Sequence, residues 1–218
     1  MVMISRPRLY NARMVGDALY VEAKTHACYG LIANTVANLC DNYPGLFFRE
    51  LRGYAIHSLS NPEIGIDLVL FHPQPRTLMA IKQFIVNKDH NARLLFSTQN
   101  RERQKLLKLP LPKAVSQAWN VDLTLFTRDC SGIVLAVTQT IAKHYALFDS
   151  MTGWTEDLRR DLNMPEPWFT LRSTILCNSQ QAADSLAHDL RALVTRKHYK
   201  YVRADVRPPL FDQLKGDR

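Results

Sequence analysis

The chain has 218 residues, of which 46% are hydrophobic and 22% charged, and it carries a formal net charge of +8. That length fits one large domain or two small ones, and the hydrophobic share excludes wholesale disorder. The positive charge favours an acidic partner such as nucleic acid. No apolar run reaches the roughly 18 residues of a membrane span, and no signal peptide is evident, so we expect a cytoplasmic protein with no membrane partner.

The four cysteines suggest neither a disulfide framework nor a metal site. Cys28, Cys40, Cys130 and Cys177 form no CxxC pair, and no Cys/His spacing suits structural zinc. Without an export signal, free thiols in a reducing compartment are expected. We therefore predict no metal and no cofactor.

Strand and helix patterns alternate through the first two thirds of the chain. Strand-like runs occupy 18–23, 66–71, 92–97 and 121–127, and apolar residues at helical spacing occupy 31–39, 77–86 and 132–145. This order predicts a parallel sheet with helices on both faces. The near-continuous apolar run over 66–71 is typical of a parallel strand buried on both faces. No internal repeat is evident.

The pattern changes after residue 152, where we predict no strong strand. Asn178 and Ser179 indicate a helix start, because their side chains can cap free N–H groups. Short helices over 182–186 and 190–203, joined by a brief turn, predict a helix-turn-helix. The predicted organisation is an N-terminal extension over 1–17, an α/β domain over 18–146, a linker over 147–160 and an all-helical domain over 161–218.

Two motifs of the C-terminal region carry a resemblance to a known family. They are L-N-M-P-E from Leu162, and S-Q-Q-A-A-D-S-L-A-H-D-L-R-A-L from Ser179 to Leu193. The pattern resembles the LuxR/NarL-type transcription regulators. The order of elements over 18–145 resembles the receiver domain of two-domain members, among them the atypical biofilm and capsule regulators of enteric bacteria. The resemblance implies an α/β fold with a doubly wound parallel five-stranded (flavodoxin-like) receiver, followed by an all-α helix-turn-helix.

The receiver resemblance also implies a degenerate phosphorylation site. Lys24 and Thr25 stand where receivers carry an acidic pair, and His72 stands in place of the phosphorylated Asp. Ser97 matches the Ser/Thr of the fourth strand, and Arg128 replaces the Lys of the fifth. Aspartyl phosphorylation needs a carboxylate and a divalent cation held by oxygen ligands. The implied domain is thus a pseudo-receiver that is not phosphorylated.

Basic residues near the C-terminus indicate DNA contact. Residues 190–207 contain six basic side chains and one acidic side chain, and Arg196, Lys200 and Arg203 share one face of a helix. Such a face suits phosphates and guanine edges in the major groove. The predicted DNA-binding residues are Ser179, Gln180, Arg191, Thr195, Arg196, Lys197, Tyr199, Lys200 and Arg203.

Together these features predict a phosphorylation-independent transcription regulator that is not an enzyme. We expect it to bind double-stranded promoter DNA as a homodimer or with a related regulator, and RNA polymerase is a further candidate partner. One alternative is an interaction module that modulates another regulator without reading DNA itself. A second alternative is a hydrolase using Cys28, His144 and Asp149, with Cys28 at a helix start that could lower its pKa.

Overall fold

The chain folds around a broad antiparallel sheet. The computed structural model describes residues 8–26, 31–56, 63–86, 118–129, 132–156, 167–197 and 200–209. The strands in these ranges are β1 (Arg8–Val15), β2 (Ala18–His26), β3 (Phe47–Ile56), β4 (Glu63–Phe71), β5 (Trp119–Arg128), β6 (Leu147–Glu156), β7 (Trp168–Cys177) and β8 (Tyr201–Arg207). The helices described there are α1 (Leu31–Asn42), α2 (Pro75–Val86), α3 (Ile133–Lys143) and α4 (Gln180–Lys197).

The eight strands form one sheet in the order β1-β2-β4-β3-β6-β7-β5-β8, and every neighbouring pair is antiparallel. The second half, β5-α3-β6-β7-α4-β8, is a βαββαβ unit with ferredoxin-like strand order. The first half, β2-α1-β3-β4-α2, has the same order, with β1 in the position of the last strand. The two units meet where β3 pairs with β6, a junction called here the seam.

The β1–β2 hairpin explains why the first unit begins with a strand. Val15 pairs with Ala18, so only Gly16 and Asp17 form the turn. Gly16 has φ +60°, the left-handed conformation that two-residue hairpin turns use. The segment predicted as an N-terminal extension over 1–17 thus supplies an edge strand, and Gly16-Asp17 is the signal for it.

The four described helices cover one face of the sheet, and none of them lies on the other face, called here the open face. In β5, Val121, Leu123 and Leu125 are buried on the helix-covered face, and Asp122 and Thr124 alternate with them on the open face. The same core includes residues from all four helices, among them Val36, Ile81, Val137 and Leu190. The structure is therefore two layers, with polar chemistry placed on the open face and at the ends of the strands.

The predicted fold class is wrong, although several local elements were predicted correctly. Strands over 18–23, 66–71 and 121–127 and helices over 31–39 and 77–86 agree with the structure. The sheet is antiparallel rather than parallel, with helices on one face, so there is no receiver-like arrangement among the described elements. An apolar run shows that a strand is buried but not which way its neighbours run. In β4 one face packs under helices and the other is only half-buried.

The predicted helix-turn-helix is also wrong. α4 is one continuous helix of 18 residues across the turn expected between 186 and 190. Ala183, Leu186, Leu190 and Leu193 form one buried stripe at helical spacing. Ser179 caps this helix as predicted, since the Ala182 N–H donates to Ser179 Oγ at 3.2 Å.

Strands occupy the regions where a linker and an all-helical domain were expected. β6 lies within the predicted linker 147–160, and β7 and β8 lie within 161–218. β7 is a central strand between β6 and β5, and β8 ends the sheet. The C-terminal region therefore completes the second unit.

A truncation on the buried stripe of α4 tests this packing. We expect Leu190→Ala to lower the free energy of unfolding by about 2–5 kcal/mol, because Leu190 is fully buried against the sheet. The exposed Ser185→Ala on the same helix serves as control, with an expected change within about 0.5 kcal/mol. Urea unfolding of both variants measures the difference. Equal stabilities would contradict the observed orientation of α4.

Candidate functional site

The seam joins two strands that occupy equivalent positions in the two units. Each residue of β3 (FFRELRGYAI) corresponds to the residue numbered 100 higher in β6 (LFDSMTGWTE), with Phe48 matching Phe148 and Gly53 matching Gly153. Arg52 pairs with Thr152 at the centre of the seam. The units are thus related by a pseudo-two-fold axis near this pair, and the internal repeat was missed in the sequence.

A narrow cleft opens at one end of the seam, where both units contribute to its walls. The residues that line this seam cleft are Leu46, Phe47, Phe48, Asp129, Gly132, Ile133, Val134 and Phe169. The first three come from the first unit at the start of β3, and the others come from β5, α3 and β7 of the second. A molecule bound in the cleft would therefore contact both units.

Two groups of opposite electrostatic character line the seam cleft. Asp129 follows β5, and its Oδ2 accepts a hydrogen bond from Thr155 Oγ1 at 2.9 Å. Burial raises the pKa of the Asp129 carboxyl, opposed by this hydrogen bond and by the charge of Arg49. Its backbone is fixed as well, because the Asp129 N–H donates to the Pro167 carbonyl at 2.8 Å.

The second group is the N-terminus of α3. Gly132 precedes the helix with φ +89°, a left-handed conformation strained for other residues, and it offers no side-chain cap. The first helical hydrogen bond joins the Ala136 N–H to the Gly132 carbonyl, so the N–H groups at the start of α3 point out of the helix. These N–H groups favour an anion and the Asp129 carboxylate favours a cation. The cleft is thus lined by two groups of opposite polarity.

The residues predicted as a degenerate phosphorylation site do not come together. Lys24 and Thr25 lie in β2, where Lys24 pairs with Gly65, and His72 follows the opposite end of β4. About 24 Å of strand separates these positions. Arg128 ends β5, which is separated from β2 by four strands of the sheet. Ser97 lies outside the described residues.

His72 has a structural role instead. It is buried, its Nδ1 accepts from the Gln74 N–H at 3.0 Å, and its Nε2 lies 3.1 Å from the Pro44 carbonyl. These contacts require the tautomer that carries its proton on Nε2. The ring therefore ties the end of β4 to the turn before β3.

The predicted DNA-binding residues are divided between the two faces of the sheet. Helix α4 contains or is capped by Ser179, Gln180, Arg191, Thr195, Arg196 and Lys197. Lys200 precedes β8, and Arg203 lies in β8. Tyr199 lies outside the described residues. Arg191 donates a hydrogen bond to the carbonyl of Ala204 and so ties α4 to β8. Arg203 projects from the open face and pairs with Asp205 at 2.6 Å. They do not form the single recognition face that was predicted.

The hydrolase alternative stays a prediction, because Cys28 lies outside the described residues. His144 Nε2 lies 2.9 Å from the carboxylate of Asp189. Burial raises the pKa of Cys40 to about 11 and that of Cys177 to about 12, so both are protonated at neutral pH. Both are free thiols, with Cys177 buried and Cys40 half-buried.

The prediction missed Asp129 and Gly132, although a signal for them exists. A strand that ends in a carboxylate, followed three residues later by a glycine and an apolar helix, marks a tight turn into a helix N-terminus. Comparison with the first unit reveals a matching Gly30-Leu31-Ile32 beside Gly132-Ile133-Val134 in the sequence.

Comparison with known proteins supports the fold alone. No protein-family model matches the chain, and no curated protein matches its sequence. The crystal structure of aspartate kinase from Synechocystis is similar over 88% of this chain, with a TM-score of 0.53 and 11% identity. The match covers 28% of that chain, so this protein spans less than a third of the kinase structure.

A second similar structure is a protein assigned provisionally as a glycine cleavage system transcriptional repressor. It has 16% identity and a TM-score of 0.36, with 88% of this chain and 97% of that chain covered. Together with the antiparallel sheet, the kinase match identifies an ACT-like fold. The resemblance to LuxR/NarL regulators with a pseudo-receiver is therefore wrong. No described helix is long and apolar enough to cross a membrane.

The contact between α3 and α4 predicts a pH dependence. Hydrogen bonds from His144 and Lys143 hold the pKa of the Asp189 carboxyl below its usual range. Stability from a lowered acid pKa is present above the unfolded pKa near 3.9 and lost as pH falls through the folded pKa. We expect Asp189→Asn to lower the free energy of unfolding by about 1 kcal/mol at pH 7 and by less at pH 3.

Urea unfolding at the two pH values measures this effect, with the exposed Asp184→Asn on the same helix as control. The control removes a carboxylate of α4 outside the contact, so its effect should be small at both pH values. A loss for Asp189→Asn that is the same at pH 3 and pH 7 would contradict the proposed electrostatic origin.

Proposed function

We propose that the protein is a regulatory, non-catalytic module that binds a small α-amino acid in the seam cleft. The single observation that carries this proposal is that two polar groups of opposite character in the second unit line a cleft whose opposite wall comes from the first unit. The Asp129 carboxylate suits an ammonium group, and the N-terminus of α3 suits a carboxylate. The aromatic walls formed by Phe47, Phe48 and Phe169 favour a compact or apolar side chain.

Regulation follows from the position of the cleft. A ligand that contacts both units favours whichever arrangement of the seam fits it best, because a ligand shifts an equilibrium by its differential affinity for two states. The module would then act on a partner, as in the alternative of an interaction module that modulates another regulator. Binding of promoter DNA, and pairing with a second copy, a related regulator or RNA polymerase, stay predictions.

The free-energy cost of burying the Asp129 carboxylate supports a binding role for this residue. Burial raises its pKa, so the charged form destabilises the folded state at neutral pH, and this cost falls as pH falls. Groups retained at such a cost are candidates for function. Thr155 holds the carboxylate in a fixed orientation, which preorganises it for a cationic ligand group.

The test is ligand-dependent stabilisation. We expect at least one of the twenty α-amino acids to raise the melting temperature, with about 2.7 kcal/mol of added stability when the ligand is at 100 times its Kd. Asp129→Asn should weaken binding about tenfold or more, because it removes the partner of the ammonium group. Scanning fluorimetry identifies the ligand, and calorimetry measures its affinity for the wild type and the variant.

Two further variants decide what the result means. Asp41→Asn removes an exposed carboxylate at the end of α1 and should leave the affinity unchanged. Gly132→Val introduces a β-branched residue at φ +89° and should weaken binding by displacing the start of α3. If no amino acid stabilises the protein, or if Asp129→Asn binds as tightly as the wild type, the proposed function is wrong.

A further inference from the structure

The open face carries a row of alternating arginine and threonine side chains across five neighbouring strands. The pairing register places Arg52, Thr152, Arg172, Thr124 and Arg203 directly beside one another on β3, β6, β7, β5 and β8. Successive arginines therefore lie on alternate strands, roughly 10 Å apart. The three arginine side chains are exposed. This set is called here the arginine row.

An aromatic row runs beside it on the same face. Its positions lie two residues away from those of the arginine row on each strand. The register aligns Trp154, Thr170, Phe126 and Tyr201 on β6, β7, β5 and β8. The two rows are roughly 7 Å apart, close enough for one extended ligand to touch both. Tyr201 is 46% exposed. Phe126 is half-buried and stacks on Trp168 with 4.6 Å between the ring centroids, so its position is fixed.

Two of the three arginines in the arginine row lie near a carboxylate of their own strand, and the third does not. Arg203 pairs with Asp205 at 2.6 Å, and Arg52 lies 3.8 Å from Glu50. Arg172, at the centre of the arginine row, makes no ion pair with any described residue. Its guanidinium instead lies over the Trp154 ring, 5.7 Å from the centroid. It is an exposed positive charge positioned by an aromatic ring.

We propose that this face of the second unit binds single-stranded RNA. Unpaired bases can stack on Tyr201 and Trp154, and phosphates can contact Arg172 and its neighbours, which is the combination that open sheets use for single strands. The hydroxyls of Thr124 and Thr152 stand between the arginines and can bond to ribose 2′-OH groups. The net charge of +8 promotes approach of a polyanion.

The aromatic row argues against double-stranded nucleic acid as the occupant. A duplex hides its base faces by stacking, so the aromatic row would have nothing to contact. The face lies on the opposite side of the sheet from the helices, and this inference is independent of the amino-acid cleft.

The experiment is fluorescence anisotropy with a labelled 12-nucleotide RNA of mixed sequence, single-stranded and as the matched duplex. The single strand should bind more tightly than the duplex, with an affinity that falls as salt rises. Arg172→Glu should weaken binding about tenfold or more, and Tyr201→Ala about fivefold or more, since it removes a stacking surface without changing charge. Arg76→Glu, an exposed position on α2 behind the sheet, makes the same charge change and should alter binding less than about twofold.

Circular dichroism of each variant confirms that the sheet is intact, and Tyr201→Ala on the edge strand keeps the test valid if Arg172→Glu fails to fold. Three results would overturn the proposal: no binding of the single strand, equal or tighter binding of the duplex, or equal losses for Arg76→Glu and Arg172→Glu. Sedimentation showing a dimer that Arg172→Glu dissociates, with no RNA binding, would assign the face to a second copy instead.

Discussion

Backbone hydrogen bonding between β3 and β6 is the interaction on which the rest of the structure depends. Taken alone, the first unit would expose β3 and the second unit β6 as an edge of unpaired N–H and C=O groups. Antiparallel pairing from Glu50 to Tyr54 against Ser150 to Trp154 satisfies both edges at once. The two cores then lie under one sheet, and α1 and α3 pack side by side across the junction. Loss of this pairing would expose apolar surface in both units.

Glycines at the seam allow the two layers to approach closely. A Cβ at Gly153 would lie 2.8 Å from the Phe169 ring, and one at Gly53 would lie 3.1 Å from Ile32. The repeated glycine therefore serves side-chain packing next to the junction. A comparable arrangement occurs on the open face, where the Tyr54 ring lies against the strand at Gly65. Small residues on one strand thus give space to large residues on its neighbours.

The sequence predicts local elements better than their arrangement, and particular residues show why. The alternation of Val202, Ala204 and Val206 with polar residues is a strand pattern, but the basic residues over 196–207 also fit a helical face. Pairing with β5 stabilises the strand conformation over the helical one, because it buries Ala204 fully beside Leu123. That contact is distant in sequence, so no local pattern could reveal it.

The candidate sites were harder to predict for a related reason. Asp129 and Gly132 are visible as a turn into a helix, yet the cleft exists only because Phe47 and Phe48 arrive from the other unit. The arginine row contains residues from five strands, and its order depends on the pairing register. The basic side chains predicted to bind nucleic acid included Arg203 but not Arg52 or Arg172, which are far from it in the chain.

Placing both units in one chain changes how the seam behaves on dilution. Where two such units belong to separate molecules, their junction forms by association, and its population depends on protein concentration. Here the covalent connection between α2 and β5 keeps the partners together at a fixed effective concentration. The junction is therefore present at the lowest expression level. Pairing of β3 with β6 is therefore an intramolecular event that does not depend on protein concentration.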